Sequence, residues 1–487
     1  MSADAARRDP NPTDGIRRLV NVVKVLKNLL WTLVLAVPPL FAALWSGATA
    51  IANGAFSPWS PQMIDMDVYR RTAEIFLVGG DIYNVPDELP FIYPPVAALL
   101  SLPFTWFELA TTQQLWLVVN ALFVIAMVHR LGLTGWRLSL ASAAAILMIE
   151  PLRTTLGFGQ VNIAMTALVF LDIVPGPRAL DRLGLPRLPQ GWLIGIATAI
   201  KLTPALFAVY LFFSGKVKPA LVAFGSFCVA TVVGFAFLPQ ASMTFWTRLL
   251  EGDSGINTGL KYFTNQSVIG NYIRFSKENP DQIPSEGLLL AVLVGAVGLA
   301  AAILWERNGH RTFAVTLCGF TTLMMSPISW SHHFIWFLPL IALALRDSDL
   351  PKPLRIVAIG YGIWGAHAPF NEFGDYYVYE KPLDEFELTP LSLLVDAGSM
   401  IICIAMFVLA FGYGLVERRR QGYGWLPLTL RATEKKRAGF EARESDDAEA
   451  DAAGAAEQDS LAGRNPADEK PDSDADTKPA APRGTGR

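Results

Sequence analysis

The chain has 487 residues, 52% of them hydrophobic and 17% charged, and its 40 Lys and Arg against 43 Asp and Glu leave a net charge of −3. That balance excludes a nucleic-acid-binding protein built on a basic surface, and the apolar excess is larger than an average soluble domain needs for its core. Cys228, Cys318 and Cys403 lie far apart inside apolar stretches, where cysteine serves as a small hydrophobe, so no disulfide or metal framework is expected.

Residues 1–27 carry Arg7, Arg8, Arg17, Arg18, Lys24 and Lys27 and read as a basic cytoplasmic N-terminus. The apolar run that follows is too long for a signal peptide and lacks a small-residue cleavage site, which makes it a retained first helix. Candidate spans occur near 28–50, 113–129, 137–150, 161–175, 189–201, 203–214, 218–238, 286–305, 311–327, 332–346, 354–369 and 389–416. The expected fold is an all-α polytopic membrane protein with about 12 transmembrane helices. The stretch 92–108 is also apolar, but Pro94-Pro95, Pro103 and Glu108 argue for a re-entrant or interfacial segment. With that assignment the Lys/Arg-rich connectors 129–137, 178–187, 214–218, 306–311, 346–355 and 418–420 all fall on the side of the N-terminus, as the positive-inside rule requires. Segments 51–90, 150–160, 239–285, 326–333 and 370–388 fall on the other. A transmembrane domain over 28–417 thus carries external loops at 51–112 and 239–285, and both termini are cytoplasmic. Residues 418–487 form a tail that from Glu441 onward has no aromatics and is rich in Ala, Asp, Glu, Pro and Gly. Such a segment cannot bury enough apolar surface to fold.

Polar residues that interrupt so apolar a chain are the candidates for chemistry. In the first external loop, Asp65 and Asp67 could supply a general base, or be solvated loop charges. Tyr69 follows them, and Tyr93 stands just before Pro94-Pro95. Glu150 and Arg153 precede Gly159-Gln160-Val161-Asn162, where glycine permits close backbone approach and the amides can hold a hydroxyl-rich ligand; a plain helix-end turn is the alternative. Lys201, in Lys201-Leu202-Thr203-Pro204, is a cation in an apolar run, costly unless it faces a polar cavity or an anionic phosphate, or snorkels. Asn265-Gln266-Ser267 lies in the second external loop. Ser326-Pro327-Ile328-Ser329-Trp330-Ser331-His332-His333 ends with two of the five histidines side by side. Adjacent helical residues point about 100° apart, which argues for hydrogen bonding rather than metal ligation, beside Trp330 as an aromatic platform.

Taken in order, Asp65-Met66-Asp67-Val68-Tyr69, Gly80-Asp81-Ile82-Tyr83, Phe91-Ile92-Tyr93-Pro94-Pro95, Gly159-Gln160-Val161-Asn162, Lys201-Leu202-Thr203-Pro204, Asn265-Gln266-Ser267 and the Ser326–His333 run resemble the motif series of the glycosyltransferase family 87 membrane enzymes. The resemblance implies a GT-C type helical bundle with a catalytic carboxylate on its first external loop, beside a lipid-accessible cavity. It implies transfer of a sugar from a polyprenyl-phosphate carrier to a glycolipid or lipoglycan acceptor on the outer face of the plasma membrane, with no separate cofactor and no metal. Mannose transfer forming α-1,2 linkages is the first expectation and arabinofuranose transfer the second; a polytopic lipid or sugar transporter is a different class, for which no internal repeat is visible. Asp65 would be the base, with Asp67 as second candidate. Lys201, His332, His333 and Arg153 would contact the donor phosphate, and Tyr69, Tyr93, Gln160, Asn162, Asn265, Gln266 and Trp330 the sugar or acceptor.

Overall fold

In the computed structural model the described residues are 12–50, 62–85, 89–177, 188–251, 259–279, 282–346, 350–370 and 386–421. The basic residues before 12, most of the 370–388 segment, the 178–187 connector and the tail from 422 lie outside them.

The described residues are all-α. The helices are α1 (Pro12–Thr49), α2 (Ile64–Leu77), α3 (Pro95–Leu100), α4 (Leu109–Arg130), α5 (Gly135–Met148), α6 (Glu150–Phe158), α7 (Asn162–Ile173), α8 (Trp192–Ile200), α9 (Ala205–Phe213), α10 (Val217–Phe237), α11 (Pro239–Leu250), α12 (Val268–Ser276), α13 (Ser285–Arg307), α14 (Arg311–Met325), α15 (Phe337–Leu345), α16 (Lys352–His367), α17 (Pro390–Asp396) and α18 (Gly398–Arg420). Five stretches, Leu30–Thr49, α4, α10, α13 and α18, are long and apolar enough to cross a membrane. Their exposed faces agree with a lipid solvent: Leu221, Phe224, Val229, Val232 and Phe237 of α10 all point away from the protein. The chain is a polytopic membrane protein.

Two expectations change. The 239–285 segment contains α11 and α12, and the span expected at 389–416 divides between α17 and α18. The division follows from a charge. Asp396 ends α17 fully buried, 2.6 Å from Arg274 of α12, which also donates to the carbonyls of Tyr262 and Asn265. A buried carboxylate needs such a partner. The 92–108 stretch forms no long helix; it folds as α3 and a 3-10 turn, Leu102–Thr105.

Connectors assigned to one side of the membrane do meet. Glu306 binds Lys216, Arg311 and the Tyr210 hydroxyl. Arg130 donates to the carbonyls of Leu171, Val174 and Pro177, and Arg346 to that of Leu131. At the other end, Val68, Tyr69, Ile82, Phe91, Tyr93, Ala97 and Leu238 form a second, smaller core that fixes the segment around α2 and α3.

Candidate active site

Four helix breaks meet at that end of the bundle. The first is the entry to α2. Met63 takes a left-handed backbone conformation (φ 40°), strained for a residue with a side chain, and its N–H donates to the Gly157 carbonyl at 3.2 Å. Asp65 and Asp67 occupy the first turn of α2, where the helix dipole favours carboxylates.

The second break is the α6–α7 turn. Gly159 has φ 70°, its N–H donates to Leu156 O, and the Gln160 N–H donates to Thr155 O, which together close a Schellman cap. A Cβ on Gly159 would lie 2.6 Å from Met66 Cβ and 3.0 Å from Met63 Cβ, so glycine lets α2 dock on this turn. Docking brings Gln160 to Asp65. The Gln160 Oε1 accepts from Tyr69 Oη at 2.8 Å and lies 3.4 Å from Tyr93 Oη, which turns the amide N–H groups toward the Asp65 carboxyl.

The third break is at Lys201, whose extended backbone ends α8, while Pro204 allows α9 to begin just beyond it. Lys201 Nζ is 3.5 Å from Asn162 Oδ1, 3.4 Å from His333 Nε2 and 5.5 Å from the centre of the Tyr93 ring. The fourth break follows α14, where Ser326 is extended before Pro327 and a short 3-10 turn holds Ser331–His333. The His332 carbonyl accepts from Thr155 Oγ1 at 2.6 Å and Asn162 Nδ2 at 3.2 Å, while its ring packs between Phe158 and His333.

The electrostatics separate the two aspartates. Burial raises the Asp65 carboxyl from 3.8 to about 6, although the Gln160 hydrogen bond and the Lys201 ammonium favour its ionised form. The residue as a whole is not fully buried. Burial, reinforced by the charge of Asp65, raises the Tyr93 hydroxyl to about 12 and holds that of Tyr69 well above its ordinary value, so both remain donors. Asp67 is half exposed and 3.9 Å from Arg71 on the outer side of α2.

Beside this cluster lies a cavity of about 400 Å³ whose walls are almost wholly apolar. Tyr69 and Tyr93 stand at its head. It descends between α4 and α7, past Trp116, Val119, Val161 and Leu168, and is closed on one flank by Pro103, Phe104, Trp106 and Phe107. A smaller, more polar cleft on the other side of α7 is lined by Asn162, Thr166, Lys201, Ser329 and His333.

Asp65, Tyr69, Tyr93, Gln160, Asn162, Lys201, His332 and His333 therefore converge. The remaining sequence candidates stand elsewhere. Arg153 is exposed on α6, and its guanidinium makes no hydrogen bond or ion pair among the described residues. Asn265 and Gln266 are fully buried and hold the fold: Asn265 donates to the Leu260 and Pro327 carbonyls and accepts from the Ser329 N–H, while Gln266 donates to Phe263 O and Asp396. Trp330 packs its ring 6.0 Å from that of the half-exposed Tyr262, outside both cavities. Thr155, which anchors the His332 carbonyl, gave no signal in the sequence, because a threonine near a helix end is ordinary.

A family model, glycosyltransferase family 87, matches residues 91–327. Curated relatives include two polyprenol-phosphate-mannose-dependent alpha-(1-2)-phosphatidylinositol mannoside mannosyltransferases. That of Mycobacterium tuberculosis is 29% identical over 313 residues, covering 58% of this chain and 70% of the relative. That of Mycolicibacterium smegmatis is 30% identical over 317 residues, covering 58% and 69%. An alpha-(1->3)-arabinofuranosyltransferase of Mycobacterium tuberculosis is 28% identical over 277 residues, covering 54% and 59%. No solved structure matches. The chain belongs to glycosyltransferase family 87.

Proposed function

We propose that this glycosyltransferase family 87 chain transfers mannose from polyprenyl-phosphate mannose to a glycolipid or lipoglycan acceptor, forming an α-1,2 linkage with inversion. The observation that carries the reading is the placement of the Asp65 carboxyl beside Lys201, in a cluster whose Tyr69 and Tyr93 line an apolar cavity. A lipid phosphate sugar needs those three things together: a base for the acceptor hydroxyl, a cation for the leaving phosphate, and an apolar slot for the chain.

In the proposed reaction Asp65 takes the proton of the acceptor hydroxyl as its oxygen attacks the anomeric carbon. The bond from that carbon to the phosphate oxygen breaks with its electron pair on the phosphate. Lys201, held by Asn162, His333 and the Tyr93 face, would neutralise the developing charge. Tyr69 and Tyr93 fix Gln160, and Gln160 fixes Asp65, so the base is oriented before substrate arrives. The architecture proposed is the GT-C type, with 28–417 as the catalytic domain, the site on the external face and both termini cytoplasmic.

A second reading, arabinofuranose transfer from polyprenyl-phosphate arabinose, is favoured by the likeness to the arabinofuranosyltransferase. The test uses membranes containing the chain, each radiolabelled polyprenyl-phosphate sugar in turn, and a mannolipid acceptor. Transfer of mannose alone supports the first reading and of arabinose alone the second. Transfer of neither would overturn both.

A further inference from the structure

Family membership accounts for the base and the cation but not for what shapes the cavity that would take the lipid. Its flank is the 3-10 turn Leu102–Thr105 and the residues just beyond it. A helical turn this short leaves carbonyls without partners inside its own backbone, and an apolar surrounding makes them costly. Here Arg70 takes them. Its Nη1 donates to Phe104 O at 2.8 Å and Phe107 O at 2.7 Å, while its Nε donates to Glu74 Oε1 at 2.8 Å, which fixes the guanidinium plane. Thr112 Oγ1 approaches both carbonyls from the other side, at 3.3 and 3.4 Å. The Phe104 ring then packs edge-on to Trp116, whose Nε1–H donates to Gly159 O at 2.9 Å.

The cavity wall is thus tied twice to the apparatus that places the base. Arg70 ties it to α2, five residues after Asp65, and Trp116 ties it to the turn that presents Gln160. From these ties we infer that Arg70 is a positioning residue: it holds the Phe104–Phe107 wall against the phosphate-proximal isoprene units of the donor. The inference rests on the polyprenyl-phosphate reading above.

Two readouts test it, using purified full-length protein in detergent. The first is binding of decaprenyl phosphate and of geranyl phosphate, followed by tryptophan fluorescence, since Trp106 and Trp116 line the cavity. The second is steady-state transfer with donors of the same two chain lengths. Arg70→Leu is expected to weaken binding of both lipids, and to raise the donor KM, about tenfold, a loss of about 1.4 kcal/mol. The acceptor KM and kcat should stay within about twofold of wild type. Both chain lengths should suffer alike, because only the proximal units meet this wall. Arg70→Lys, which keeps a donor for one carbonyl, should recover part of the loss; if the leucine variant does not fold, the lysine variant still must show weakened lipid binding. Unchanged lipid binding in either folded variant overturns the inference, as does a fall in kcat and a rise in acceptor KM equal to the donor effect. A wild-type protein that binds both lipids yet transfers no sugar would overturn the proposed function and leave the binding comparison to decide the role of Arg70.

Discussion

Replacing Asp65 by Asn tests the proposed base through rate and stability together, with opposite expected signs. Holding the carboxyl up to about 6 from 3.8 corresponds to about 3 kcal/mol against the ionised form in the folded protein. A base works only when ionised, so kcat/KM for the wild type should fall tenfold per pH unit below about 6 and level off above it. The stability sign is the reverse. Because the folded-state value is raised, the folded protein binds this proton more tightly than the unfolded chain does; the benefit is complete below about 3.8 and disappears as pH rises to about 6. Above that, the ionised carboxylate is a burden of up to about 3 kcal/mol, which Asn removes. Asp65→Asn should therefore lose a factor of about 10² to 10⁴ in kcat at pH 7.5 while melting no lower than wild type, and its residual rate should lack the acidic limb. Gln160→Leu, which deletes a hydrogen bond that favours the carboxylate, should move that limb to higher pH. Transfer by Asp65→Asn at a tenth or more of the wild-type rate, or a Gln160→Leu limb moved to lower pH, would refute the assignment.

Lys201→Met should cost about 10² in kcat, roughly 3 kcal/mol of stabilisation for the leaving phosphate, and should also raise the Asp65 limb, since the ammonium favours the carboxylate. Both are read from one pH–rate series. Gly159→Ala meets two penalties, a left-handed backbone and a Cβ 2.6 Å from that of Met66; a loss of more than about 2 kcal/mol in thermal stability, together with loss of transfer, is expected. Arg274→Met leaves Asp396 buried without its cation and should cost about 3–5 kcal/mol, which the added change Asp396→Leu should largely recover. Yield and melting temperature of the three proteins decide that case.

Much of this was readable from the sequence because an apolar chain makes its polar residues conspicuous. Lys201 stood out as a cation in a run of aliphatics, and Asn162 and Gln160 as amides at the start of one. The long spans α10 and α13 were found within one or two residues of their observed ends, since length and hydropathy alone define them. The misses share a cause. Helices α11 and α12 in the 239–285 segment, and the break at Asp396, depend on partners far away in sequence: Arg274 and Asp396 are 122 residues apart. Asn265 and Gln266 look like ligand contacts because they are polar and clustered, yet a loop buried among helices must satisfy its own backbone, and their side chains do that. Arg70 reads as a surface charge on an amphipathic helix until the carbonyls it reaches are known.

The same accounting explains why the site lies where it does. α8 and α9 each have nine residues, roughly 14 Å of helix and about half of what a perpendicular crossing needs. A break between two such helices within a membrane would expose backbone groups that lipid cannot satisfy, so it persists only where protein or a polar cavity supplies partners. Three of the four breaks supply them to one another: Thr155 and Asn162 donate to the His332 carbonyl and Met63 N–H to Gly157 O, while Lys201 joins through its side chain to Asn162 and His333. Once the interruptions are gathered in one place, their side chains are gathered too, and a carboxyl, an amide, an ammonium and an imidazole come together without any one segment of the sequence encoding the group. Polar residues away from these breaks, such as Arg153 on the exposed side of α6, gain no such neighbours.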